Sequence, residues 1–156
     1  MLQEDSPHGS GKQEGEDPYH ITYTDSPSLD DEGVLVAGIN EEARLAKKMG
    51  DILLYAFFIR DRENTIVGGV KGNTFYGCLY VDSLWVAAPI RREGWGRRLI
   101  QASEQLAKER HCTFVSLTTM DWEALPFYLK LGYQVEYVRE GFENSSKMYI
   151  LRKDLT

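Results

Sequence analysis

The chain has 156 residues, 42% of them hydrophobic, with nine Tyr, six Phe and three Trp, enough to fill one core and unlike the composition of a disordered polymer. Its formal net charge is −6, and the imbalance is regional: residues 1–50 carry eleven acids against four bases, residues 51–156 thirteen against fourteen. That distribution offers no broad basic face to nucleic acid, no apolar run reaches the ~20 residues of a membrane helix, and two cysteines, Cys78 and Cys112, with no paired CxxC, indicate neither a zinc site nor a disulfide framework.

Residues 1–18 are polar and rich in Gly, Ser and Glu, and read as a disordered tail ahead of a single domain over 19–156. They lack the basic and apolar regions of a secretory signal, so a reducing cytoplasm is the expected location. Gly9-Ser10-Gly11-Lys12 fails as a phosphate loop, because Ser6 and Gln13 stand where that motif needs Gly and Ser or Thr. Ile21 to Thr24 alternate apolar and polar and predict a first strand. Gly33 to Met49 carry an imperfect helical spacing that Gly50 would end. Leu53 to Ile59 and Thr65 to Val70 predict a hairpin about a polar turn at Arg60 to Asn64, and Gly72-Asn73 predicts another turn.

Cys78 to Val86 reads as a long strand closed by Ala87-Ala88-Pro89. A helix follows to about Arg110, its small and apolar stripe formed by Leu99, Ala102, Ser103, Leu106 and Ala107. Thr113 to Thr118 is a strand, and Glu123 to Leu131 a helix that tolerates Pro126 only in its first turn. Tyr133 to Val138 and Met148 to Leu151 complete two further strands. The order is β-α-β-β-β-α-β-α-β-β, a mixed α/β (α+β) domain.

The segment Arg91-Arg92-Glu93-Gly94-Trp95-Gly96 lies between a strand and a helix. The first turn of a helix has N–H groups without intrahelical partners and partial positive charge, which an anion satisfies. Glycines at 94 and 96 let a bulky anion approach the amides, and Arg91, Arg92, Arg97 and Arg98 add charge. A lone Gly-x-Gly is weak; its spacing from Arg91 at this junction points to an anion site. Glu93 is expected to pair with a neighbouring Arg.

Arg91-x-x-Gly94-x-Gly96 resembles the [Gln/Arg]-x-x-Gly-x-[Gly/Ala] signature of the GNAT N-acetyltransferases, including their small bacterial members. Upstream, Asp82-Ser83-Leu84-Trp85-Val86 resembles the end of that family's central strand, and downstream Asp121-x-x-Ala124-x-x-Phe127-Tyr128-x-Lys130-x-Gly132-Tyr133 resembles its second motif. The resemblance implies a largely antiparallel central sheet flanked by helices and splayed between its two central strands. It also implies acetyl-CoA as cosubstrate, without a metal. Leu84, Trp85 and Val86 would meet pantetheine, and Arg91, Arg92, Gly94, Trp95, Gly96 and Arg97 the pyrophosphate. Tyr128 matches the position that protonates the leaving thiolate, its alternative being a core aromatic. Asp82 matches a position where several members carry a Glu base, although Asp is shorter and has an ordinary structural use beside the strand. Asp121, where Asn is commoner, either meets the cofactor or caps the helix, and Lys130 either reaches the adenosine phosphates or is solvated.

The implied activity is direct acetyl transfer to a primary amine in a ternary complex. Trp85, Tyr76, Tyr80 and Trp122 offer an aromatic wall for an acceptor, and a small molecule, a protein amine and a non-catalytic acyl-CoA-binding module all stay open. Members are often dimers, so a homodimer is one expected state.

Overall fold

The computed structural model describes residues 17–156. The stretch at Gly9 to Lys12, and the tail read at residues 1–18 as far as residue 16, lie outside the described residues. No strand forms at Ile21 to Thr24, which is irregular chain with Ile21 and Tyr23 exposed. Alternation is compatible with a strand, but a ladder partner makes one, and here none is engaged.

The first element is instead a helix, α1 (Leu29–Lys47), which begins four residues before the predicted start. Ser28 caps it by accepting the Asp31 N–H at 3.1 Å, and Asp30, Asp31 and Glu32 lie against the positive end of the helix dipole. It ends at Lys48, which adopts the left-handed conformation (φ 54°), before Gly50 is reached. Val36, Asn40 and Ala43 are half-buried along one side, and Asn40 Oδ1 accepts the Ile52 N–H at 2.9 Å.

Strands β1 (Leu53–Arg60), β2 (Ile66–Phe75) and β3 (Cys78–Val86) then form an antiparallel meander. The predicted hairpin is present, its turn held by the Asp61 carboxylate, which accepts the N–H groups of Glu63 (2.9 Å) and Thr65 (2.8 Å). The predicted turn at Gly72-Asn73 is not. Both residues lie inside β2, and the chain reverses at Tyr76 and Gly77, both of which have positive φ. Gly72 serves another purpose. Lys71 faces Ser83 whereas Gly72 faces Val81, so Asp82 is an extra residue in β3, a β-bulge. The Tyr80 carbonyl there comes so close that a Cβ on Gly72 would meet its oxygen at 1.9 Å.

The chain crosses through α2 (Trp95–Glu109) to β4 (Phe114–Met120), and ends with α3 (Leu125–Lys130), β5 (Gln134–Arg139) and β6 (Met148–Asp154). Pro126 falls in the first turn of α3, as its missing N–H requires. The sheet order is β1-β2-β3-β4-β6-β5, and every neighbouring pair is antiparallel except β3 and β4. These two parallel strands pair only from Cys78 opposite Phe114 to Val81 opposite Leu117. Beyond that point β3 stays with β2 and β4 stays with β6, so the sheet splays. Helix α2 lies across β1 to β4 and buries Leu99, Ile100 and Ala107 against Val70, Leu79, Val81 and Val115.

Candidate active site

The notch where β3 and β4 part opens into a cavity of about 910 Å³, within the range of small-molecule sites. Val81 to Val86 line one wall and Leu117 and Thr118 the other. Since the β3–β4 ladder stops at Val81 and Leu117, the stretch from Asp82 to Val86 faces the cavity with backbone groups that β4 leaves unpaired. The β2 ladder holds its other edge rigid. Such an edge can pair with an extended amide-bearing chain much as a strand would.

Beyond β3, a 3-10 turn (Ala88–Ile90) leads to the glycine loop. Arg91 Nε donates to the Val86 carbonyl at 2.8 Å, which ties the loop back to the strand end. Arg92 (φ 64°) and Gly94 (φ 86°) take the left-handed conformation and swing the chain into α2. Arg98 N–H, bonded to the Gly94 carbonyl at 3.1 Å, makes the first helical bond, so the N–H groups of Trp95, Gly96 and Arg97 have no intrahelical acceptor. Among the described residues no side chain caps this end. Gly96 has a further reason to lack a side chain: its Cβ would lie 3.3 Å from the Phe127 ring of α3. Glu93 does not pair with an Arg as expected. It accepts the Trp95 indole N–H at 3.3 Å, while Arg98 stacks on that indole at 4.2 Å.

Tyr128 is 6% exposed, and that remainder faces the cavity. Phe127 and Tyr133 pack edge-on against its ring at 5.0 and 5.8 Å. Tyr133 is itself fixed, donating to Glu104 Oε1 at 3.1 Å, and Lys153 Nζ holds the same carboxylate at 2.9 Å. Burial, then the Glu123 charge, then Tyr55 push the Tyr128 phenol up to about 12. It is therefore a neutral proton donor throughout the physiological range.

Eleven of the thirteen residues singled out in the sequence line this cavity: Asp82, Leu84, Trp85, Val86, Arg91, Arg92, Gly94, Trp95, Gly96, Arg97 and Tyr128. Asp121 and Lys130 do not; both are exposed, and the Asp121 N–H bonds the Lys147 carbonyl at 2.9 Å. Asp82, projected by the bulge, carries an ion pair with Lys71 at 3.0 Å and accepts the Ser83 hydroxyl at 3.3 Å. Of the aromatic wall, Trp85 and Trp122 line the cavity, whereas Tyr76 and Tyr80 lie outside it. The sequence reading missed Glu123, which lines the cavity two residues past Asp121, and Leu117 and Thr118, which reach it through the parallel pairing of distant strands.

Strand splay, an uncapped helix N-terminus among arginines and a neutral phenol meet in one cavity, an arrangement suited to an anionic ligand with an extended amide-bearing arm. The sequence model of the Acetyltransferase (GNAT) family matches residues 29–133, and the chain belongs to that family. It is an acetyltransferase that acts on acetyl-CoA. It is similar to blasticidin-S acetyltransferase of Streptomyces morookaense, with 31% identity over 103 residues that span 65% of this chain and 76% of the relative. Its fold matches an acetyltransferase from Bacillus cereus ATCC 14579 with a TM-score of 0.69 at 23% identity, over 86% of this chain and 98% of the other. It also matches a structure from Bacillus anthracis str. Ames in complex with acetyl coenzyme A (TM-score 0.60, 20% identity, 66% and 63% of the two chains).

Proposed function

We propose that the protein moves the acetyl group of acetyl-CoA to the primary amine of a small molecule by direct attack in a ternary complex. The observation that carries this reading is the convergence, in one cavity, of the open edge of β3, the uncapped start of α2 and Tyr128. The pyrophosphate would sit on the N–H groups of Trp95 to Arg97, flanked by Arg91, Arg92 and Arg97, and the pantetheine arm along Leu84 to Val86. The neutral amine nitrogen bonds to the thioester carbon, the C–S bond breaks, the thiolate takes the Tyr128 proton, and the proton that the nitrogen sheds makes good the phenol. Holding both reactants in line supplies most of the acceleration, since a thioester is already activated. A small-molecule acceptor is supported by the blasticidin-S relative and by Trp85 and Trp122 on the cavity wall, where a planar or cationic group can stack.

The test is incubation with acetyl-CoA and a panel of primary amines that includes blasticidin S, aminoglycosides, polyamines and peptides with free N-termini. Thiol release and the mass of the acetylated product are followed. At least one small amine should gain 42 mass units, a value set by the acetyl group itself (about 42 Da per transfer), and Tyr128→Phe should lower kcat by about 100-fold. Acetylation confined to the peptides would redirect the reading to a protein-modifying enzyme. Tight CoA binding without product on any amine would favour a binding module.

A further inference from the structure

Among the described residues, Asp82 and Glu123 are the two acids lining the cavity, and their surroundings differ. Asp82 is committed to Lys71. Among the described residues Glu123 has no ion-pair partner. Its carboxylate is held by the Thr119 hydroxyl, which donates to Oε2 at 3.4 Å. Thr119 is 2% exposed, and its oxygen also accepts the Ala124 N–H at 3.3 Å, so the hydroxyl is oriented from both sides. Ala124 in turn accepts the Tyr128 N–H at 3.2 Å. These bonds fix the turn that carries Glu123 onto the start of α3, which carries Tyr128, and both side chains line the same cavity.

The chemistry gives that pairing a use. An ordinary thiol has a pKa of roughly 8.5, so a phenol held near 12 is a weaker acid than the thiol it has to form. Unassisted protonation of the thiolate would leave a buried phenolate beside a carboxylate, which is unfavourable on both counts.

We propose that Glu123 is the proton-relay partner of Tyr128, taking the proton shed by the acceptor nitrogen and returning it to the phenol as Tyr128 protonates the departing thiolate. This rests on the acetyl-transfer reading above. In the step itself the N–C bond forms and the C–S bond breaks. Nitrogen loses one proton to Glu123, sulfur gains one from Tyr128, and the Glu123 proton restores the phenol. Both side chains end as they began. The acceptor's first proton, lost on going from ammonium to amine, leaves to solvent before attack. Other groups face Tyr128 too: Tyr55 of β1, Tyr133 with Glu104 of α2 and Lys153 of β6, and, lining the same cavity, Arg91, Arg92, Arg97 and Asp82 with its Lys71. Glu123 is the one carboxylate among them that has neither a cation nor a phenol already bonded to it.

Glu123→Gln keeps the shape and the Thr119 contact while removing the proton carrier. With the amine that the wild type acetylates fastest, kcat should fall by about 10- to 100-fold with KM for acetyl-CoA unchanged. Added formate should restore part of the rate to Glu123→Ala. Without any acceptor, 13Cζ-tyrosine NMR should show the Tyr128 phenol, assigned by its absence in Tyr128→Phe, titrating at lower pH in Glu123→Gln. A kcat within about twofold of wild type overturns the relay, whether or not the titration moves. If Tyr128→Phe also retains full kcat, the underlying acid reading fails; if only Glu123→Gln does, the relay alone fails.

Discussion

Gly72→Ala tests whether the β3 bulge, and with it the splay, depends on one backbone approach. The added methyl carbon would start 1.9 Å from the Tyr80 carbonyl oxygen and 3.1 Å from the Asp82 nitrogen, whereas real Cβ atoms essentially never come within 3.0 Å. The strands must therefore part locally by about 1.1 Å, which stretches a ladder hydrogen bond of about 2.9 Å to about 4 Å and effectively breaks it. Losing two such bonds, with one buried group left unsatisfied, costs about 3 kcal/mol. For a chain of this size that lowers Tm by about 6–12 °C. Thermal unfolding followed by circular dichroism measures it, and the KM for acetyl-CoA should rise in parallel because Leu84 to Val86 shift with the bulge. A variant melting within about 2 °C of wild type, with unchanged KM, would refute the assignment of the bulge to this contact.

Gly33→Ala is the complementary control: its Cβ meets nothing within 4 Å, so the better helix propensity should raise stability by about 1 kcal/mol and leave turnover alone. Gly94→Ala also has open space, but φ is +86°, a conformation that costs a residue with a Cβ about 1–2 kcal/mol. The loop should relax out of place, raising KM for acetyl-CoA severalfold in steady-state kinetics while kcat at saturation stays near wild type. The Tyr128 phenol, raised from 10.0 to about 12, binds its proton more tightly folded than unfolded. Its contribution is intact below pH 10 and is lost as pH rises through about 12, a change of about 3 kcal/mol. Urea melts between pH 9 and 12 should therefore show a shallower alkaline loss for Tyr128→Phe than for wild type.

What could be read from the sequence was what neighbouring residues decide. The limits of β3, the stripe of α2, the first-turn position of Pro126 and the glycine loop all follow from local periodicity and turn chemistry. Errors arose where a distant partner decides. Ile21 to Thr24 has a strand's alternation and engages no ladder. Gly72 signals a turn by composition, yet its reason is a carbonyl on the next strand. The start of α1 was legible in principle, since Ser28 followed by three acids is a capping signal; a weak apolar pattern obscured it. In the candidate site, the loop and Tyr128 were accessible through contiguous motifs. The Lys71 partner of Asp82 and the cavity-facing placement of Glu123 were not, because both depend on how strands and turns separated in sequence come together.

The splay has a mechanical consequence. Strands β1-β2-β3 and β4-β6-β5 are two three-stranded sheets stitched together by a four-residue seam, from Cys78 to Val81 against Phe114 to Leu117. Helix α2 lies across that seam, and its Glu104 is latched to Lys153 on the far sheet. A cofactor threaded into the gap would act as a missing piece of backbone, bonding to the edge that β4 abandons. Its departure would leave a joint held at one end. A donor bound in that gap would also be a removable structural member, and the melting temperature should keep rising with the logarithm of its concentration after turnover has saturated.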